Sequence, residues 1–153
     1  MDKAEIAKNL ASEILGFMGA EAEIKTKIVN GRIEINAFVK DAGFLIGRDG
    51  EHLKAFQHIL ALMLSKKINE PVNPANFIFD INNYQKERED YLAALTKNTA
   101  QQVLEDKKPR ELSPMSAFDR RIIHLSVEEI AGVKSESIGE GEARRVVIKP
   151  ENF

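Results

Sequence analysis

The segment Gly43-Phe-Leu-Ile-Gly-Arg-Asp-Gly50, running into Glu51-His-Leu-Lys-Ala-Phe-Gln-His-Ile-Leu60, constrains this chain more than any other stretch. It reads as Ile-Gly-x-x-Gly opening an amphipathic helix. Gly47 and Gly50 permit a tight turn and carry no Cβ to hold a ligand backbone away. The next helical turn has amides without intrahelical partners, which favour a nearby phosphate. Two glycines three apart are common by themselves. The residues alone leave two readings open, a phosphate clamp and a ligand-free turn between helices.

The surroundings of the loop favour a mixed fold. Ile6, Leu10, Ile14 and Phe17 recur at helical spacing over residues 3–18, and Gly19 is a natural stop. Ile24, Thr26 and Ile28 alternate, as do Ile33, Ile35 and Ala37, with Asn30-Gly31 between the two runs. That pattern predicts an antiparallel hairpin over residues 22–39. After the loop, Leu53, Phe56, Leu60, Met63 and Leu64 form the buried stripe of a helix to about Lys67. Pro71 and Pro74 mark a connection, and Phe77, Phe79 and Ile81 alternate in a third strand. Asn82 or Asn83 then reads as the cap of a long helix, with Gln85 in a capping-box position. Ser113-Pro114 reads as N-cap and first residue of another helix, with Ile123, Val127 and Ile130 buried and Gly132 as stop. Val133–Ile138 and Ala143–Lys149 complete the pattern as two strands around Gly139-Glu-Gly141.

Composition narrows the chemistry. In 153 residues, 43% are hydrophobic and 30% charged, enough for a core and a solvated surface. The formal net charge is −2, from 22 Lys and Arg against 24 Asp and Glu. Coating nucleic acid through bulk positive charge is therefore excluded, and any such site depends on local arrangement. The absence of cysteine excludes disulfides, thiolate metal sites and cysteine nucleophiles. No apolar run approaches the ~20 residues that span a bilayer, and the start has no signal-peptide pattern. The expectation is a cytoplasmic chain with no membrane insertion.

A second constellation is Arg120-Arg-Ile-Ile-His124. Positions 120 and 124 share a helix face, away from Ile123 and Val127. Arg120 and His124 are expected to be exposed together, offering a guanidinium fork and a ring nitrogen. On spacing alone, a solvent-facing Arg beside a helix-capping His is the better reading. Enzymatic readings have less support. No Walker loop and no Gly-x-Ser-x-Gly elbow occur. His52 and His58 do not share a helix face, and His124 with Glu128 supplies two ligands where a metal needs more. A small hydrolase or nuclease would lack a nucleophile–base pair.

Taken together, four stretches resemble the Jag family of bacterial RNA-binding proteins, also called SpoIIIJ-associated proteins. They are Gly43–Gly50 with Leu53-x-Ala55-x-Gln57; the entry from Asp80 to Glu87; Leu112-Ser-Pro-Met-Ser-Ala-Phe-Asp-Arg-Arg-Ile-Ile-His124; and Ser137-Ile-Gly-Glu-Gly-Glu-Ala-Arg-Arg-Val-Val-Ile148. The resemblance implies an α+β fold of two small domains. Residues 1–82 would be a KH domain of the prokaryotic type (type II), a three-stranded sheet covered by helices. Residues 83–153 would be an R-3-H domain (named for Arg-x-x-x-His), helices on a small antiparallel sheet, led by a long helix over 83–107. Gly47, Arg48, Asp49 and Gly50 then form the RNA-binding loop, and Ile46 and Lys54 belong to the groove beside it, running towards Phe77–Asn82. Arg120, Arg121 and His124 form a second nucleic-acid contact.

The implied protein is a non-enzymatic binder of single-stranded RNA or DNA that takes no cofactor and no metal. It would be a bacterial post-transcriptional regulator linked to cell elongation, division or sporulation, able to pair with a small single-KH protein. The alternative is a protein–protein adaptor that keeps the KH fold with weak or no RNA binding. Family loops usually carry basic residues between the glycines, whereas Asp49 here repels phosphate. Many members also carry a separate amino-terminal domain, whereas about 20 residues precede the first strand here.

Overall fold

Asn30 and Gly31 both take positive φ, 50° and 79°, and turn strand β1 (Ala22–Val29) into strand β2 (Arg32–Val39). Positive φ at both central residues matches the right-handed twist of a two-residue hairpin. The strands pair antiparallel from Ala22↔Val39 to Val29↔Arg32. In this computed structural model, which describes residues 2–153, the hairpin belongs to the first of two compact units, Met1–Gln85 and Lys86–Phe153.

The first unit runs α1 (Lys3–Phe17), β1, β2, α2 (Gly43–Ile46), α3 (Glu51–Ile68) and β3 (Phe77–Ile81). Asp2 caps α1 by accepting from the Glu5 amide at 2.8 Å. Its buried stripe is Ala7, Leu10, Ala11 and Leu15, one position off the expected one. Phe17 is 89% exposed, and Ile6 and Ile14 are half-buried. Small Ala7 and Ala11 let the helix backbone lie close to its neighbours. The sheet order is β1-β2-β3, and β3 joins parallel to β2, with Ile33↔Phe77 and Ile35↔Phe79 in register. The α2 and α3 segment supplies the crossover that a parallel pair needs. One sheet face is buried, through Ile33, Ile35, Ala37, Val39, Phe77, Phe79 and Ile81, in one core with Leu10, Leu15, Leu53, Leu60 and Leu64. Ile24 is half-buried but Ile28, farther along β1, is 63% exposed.

Helix α4 (Tyr84–Asp106) follows Asn82 and Asn83, neither of which has the extended backbone of an ordinary N-cap. Both asparagines take positive φ, and the Asn82 side chain is spent on the amide and carbonyl of Val39. Buried Asp80 accepts from the Gln85 amide instead, 3.2 Å from each carboxylate oxygen. A carboxylate at a helix N-terminus also meets the positive end of the dipole.

In the second unit, Leu92, Thr96, Thr99, Ala100 and Val103 form the buried face of α4. They pack with α5 (Ala117–Glu128) and the sheet β4-β6-β5 around Ile123, Val127, Val133, Val146 and Ile148. Here β4 is Arg110–Glu111, β5 is Val133–Ile138 and β6 is Arg145–Pro150, all antiparallel. Helix α5 opens at Ser116 rather than at Ser113-Pro114. The Ser116 hydroxyl accepts from the Asp119 amide at 3.2 Å. The Leu112 and Met115 amides donate to the Val146 and Arg144 carbonyls, which keeps residues 112–115 extended along β6.

Candidate nucleic-acid interface

In the first unit, Gly47 has φ 74° and ψ 179°, and Gly50 has φ 77° and ψ 17°. Asp49 between them also sits in the left-handed region, at φ 53° and ψ 28°. That region strongly disfavours most side chains and favours Gly, Asn and Asp. Asp49 is thus suited to the backbone even where its charge opposes a phosphate. Arg48, Asp49 and Lys54 are exposed, Ile46 and Gly47 half-buried, and Gly50 buried. Helix α3 starts at the loop with Gly50 in the cap position, and the Glu51 amide donates to the Arg48 carbonyl. The amides after Glu51 are the ones the phosphate reading would use.

The reason for the glycines differs from the expected one. A Cβ on Gly47 would lie 2.6 Å from Cγ of His52, and a Cβ on Gly50 would lie 2.8 Å from Cε1 of Tyr84. The space a side chain would need is filled by the protein's own rings. The strip along β3 also differs from an open groove. On its outer edge the Phe77 carbonyl accepts from Gln57 Nε2 at 3.1 Å, and the Phe79 amide donates to Gln57 Oε1. Gln85 Nε2 reaches the Phe79 carbonyl, and the Ile81 amide donates to Asp80. These main-chain groups are committed inside the protein, so Phe77–Ile81 does not offer them to a base.

In the second unit, Arg120, Arg121 and His124 lie on α5. Arg120 and His124 are half-buried rather than exposed together, whereas Arg121 is exposed. Nε of Arg120 donates to the Met115 carbonyl at 3.2 Å. Nδ1 of His124 lies 2.7 Å from Ser135 Oγ, and Nε2 lies 2.8 Å from Ser137 Oγ. Both ring nitrogens are thus held by β5. Burial pushes the His124 pKa below its ordinary value, and the charges of Arg120 and Arg144 push it the same way against Glu128. Arg144, on the turn before β6, donates Nη1 to the Gly139 carbonyl at 2.8 Å.

Together Ala117, Phe118, Arg120, Arg121, His124, Leu125 and Ser137 line an open hollow of about 590 Å³. Phe118 is 42% exposed and Leu125 50% exposed within it. One turn of α5 is anchored from behind, where Asp119 forms an ion pair with Arg88 at 2.9 Å. Phe118, Leu125 and the two serines were not singled out by sequence. The spacing 118–121–125 on α5 was the available signal for the first two. Ser135 and Ser137 announce themselves only through the pairing of α5 with β5. Among the described residues, no group of three or more His, Asp or Glu is placed to hold a metal ion, and no helix is long and apolar enough to cross a membrane.

Comparison with known proteins bears on the second unit and on the chain as a whole. Residues 90–150 match the R-3-H domain family. Over 138 residues the chain is 31% identical to RNA-binding protein KhpB of Clostridium symbiosum, covering 89% of this chain and 61% of that one. It is 29% identical over 150 residues to RNA-binding protein KhpB of Bacillus subtilis (strain 168), covering 97% and 71%. It is 26% identical over 151 residues to RNA-binding protein KhpB of Streptococcus pneumoniae serotype 2 (strain D39 / NCTC 7466), covering 94% and 45%. The chain spans 61% of the length of the first of these relatives. The unit that holds Arg120 and His124 therefore carries an R-3-H domain, in a chain similar to proteins named RNA-binding protein KhpB.

Proposed function

We propose that this chain is a non-enzymatic binder of single-stranded RNA with one contact in each unit. The observation that carries the reading is the hollow on α5, where Arg120 and Arg121 stand beside exposed Phe118 and Leu125. Guanidinium groups hold phosphates, and an exposed ring gives a base a face to stack on. The relatives named as RNA-binding proteins support the same substrate class. In the first unit, the order helix, strand, strand, helix, helix, strand and the Gly47–Gly50 loop support a type II KH domain. There Arg48 and the amides of the first α3 turn after Glu51 take a phosphate, with Ile46 and Lys54 beside them. Two weak contacts on one chain gain by linkage when a single RNA reaches both. A cytoplasmic post-transcriptional role, tied to cell elongation, division or sporulation, rests on the family resemblance, as does pairing with a small single-KH protein.

The test is RNA affinity against salt. Phosphate contacts to a single strand give a log–log slope of roughly −0.7 per contact. Arg120→Ala with Arg121→Ala should weaken binding and flatten that slope. Unchanged affinity and slope in that variant would remove the hollow from the interface. A protein–protein adaptor is the second reading, favoured by Asp49 in the loop and by exposed Ile59 and Leu62 on α3. Salt-independent or absent RNA binding, with a protein recovered on the wild-type chain, would replace the first reading with it.

A further inference from the structure

Resting on the reading of Gly47–Gly50 as a nucleic-acid contact, we propose that His52 and Tyr84 are positioning residues that hold this loop in its binding shape. His52 lies on the first turn of α3. Its Nδ1 is 2.7 Å from the Phe44 carbonyl in α2. A carbonyl only accepts, so Nδ1 carries the proton and donates. That bond ties the segment before the loop to the segment after it. The ring fills the Cβ direction of Gly47, where an added Cβ would stand 2.6 Å from Cγ and 2.8 Å from Nδ1.

Tyr84 does the same for Gly50, with Cε1 2.8 Å from an added Cβ. Each glycine thus meets one ring, both have a positive φ, and the combination φ 74°, ψ 179° at Gly47 is one that only a residue without a side chain adopts cheaply. The Gly-x-x-Gly pattern names neither ring. A loop held this way meets its ligand without an ordering cost, which is where pre-organisation yields affinity.

The test uses the full chain and reads the loop and RNA separately. Amide hydrogen exchange at Gly47–Gly50 should speed up by about tenfold in His52→Ala and in Tyr84→Leu, with Ile35 in β2 unchanged. His52→Asn, whose side-chain amide can donate where Nδ1–H did, should restore most of the protection. Affinity for a short single-stranded RNA of mixed sequence should fall about fivefold in His52→Ala, the size of one lost hydrogen bond, and recover in His52→Asn. Unchanged loop exchange in His52→Ala would overturn the proposal. So would faster exchange with unchanged affinity, provided Arg48→Asp weakens binding in parallel. If Arg48→Asp has no effect on affinity, the loop is not an RNA contact, and the exchange data alone decide whether the rings position it.

Discussion

The Gly47–Gly50 loop and the α5 hollow present opposite solutions to holding a phosphate chain. The loop is a main-chain device whose useful groups are amides, and its two interior side chains, Arg48 and Asp49, have opposite charge. The hollow is a side-chain device lined by Arg120, Arg121 and His124, with Phe118 and Leu125 exposed beside them. A main-chain site depends on backbone shape and is insensitive to most surface substitutions. A side-chain site depends on whatever holds its side chains, and here that is a buried ion pair behind α5 and two serines on β5. The two units should therefore fail differently when mutated.

The largest effect is expected behind the hollow. The Asp119 side chain is 2% exposed, and its partner Arg88 is 22% exposed. Arg88→Met leaves the carboxylate buried without its cation, which costs about 3 kcal/mol in comparable pairs. Urea unfolding should show that loss, together with weaker RNA binding. In the first unit, Lys27→Ala removes an ion pair to Glu34 whose lysine is 71% exposed, and the cost should stay below about 1 kcal/mol. Equal losses would mean that Asp119 is not held by Arg88.

RNA affinity sharpens the comparison next. Removing Arg120 and Arg121 together should weaken binding by at least about tenfold, since each charged hydrogen bond is worth about 1.5 kcal/mol when formed. Arg48→Ala should cost less, about threefold, because the α3 amides remain. A larger loss from Arg48→Ala would make the loop, despite Asp49, the main site.

Local features of this chain were legible, and non-local ones were not. The Asn30-Gly31 hairpin, the span of α4 and the presence of two strands at the C-terminal end depend on neighbours in sequence. The parallel pairing of β3 with β2 depends on residues more than forty positions apart, such as Ile33 and Phe77. The same distance problem hid one of the loop's rings, because Tyr84 meets Gly50 across α3 and β3. Arg120 and His124 were located correctly on one helix, but their exposure was not, because Ser135 and Ser137 reach His124 from another element. Ser113-Pro114 fitted a helix start as well as Ser116 did. The bonds from Leu112 and Met115 to β6, invisible in sequence, decided between them.

The pH dependence of the second unit is a smaller effect with a defined sign. The folded pKa of His124 lies below its ordinary 6.5 because of burial and of Arg120 and Arg144. Above that value both folded and unfolded chains hold the ring neutral, and the full stability is present. As pH falls through 6.5, the unfolded chain takes up the proton first, so stability is lost until the folded pKa is passed. Both serine oxygens can accept from a charged ring, so the loss comes from desolvation and repulsion and not from broken hydrogen bonds. Thermal melts at pH 5 and pH 7.5 should differ for the wild type and converge for His124→Gln. A melt that rises on acidification would reverse the sign.

The smallest expected effect is at Asp49, and it separates backbone from charge within the loop. Asn adopts the left-handed conformation as readily as Asp, so Asp49→Asn keeps φ 53° and ψ 28° while removing the negative charge. A unit charge about 7 Å from a phosphate in water repels it by roughly 0.6 kcal/mol, and salt screens part of that. RNA affinity should therefore rise by about two- to threefold at low salt, and the gain should shrink as salt increases. Asp49→Val removes the same charge but cannot take the conformation cheaply, so it should lose affinity. If both substitutions strengthen binding, the charge of Asp49 alone limits the loop. If neither changes it, RNA reaches this chain through the α5 hollow and the first unit serves a different partner.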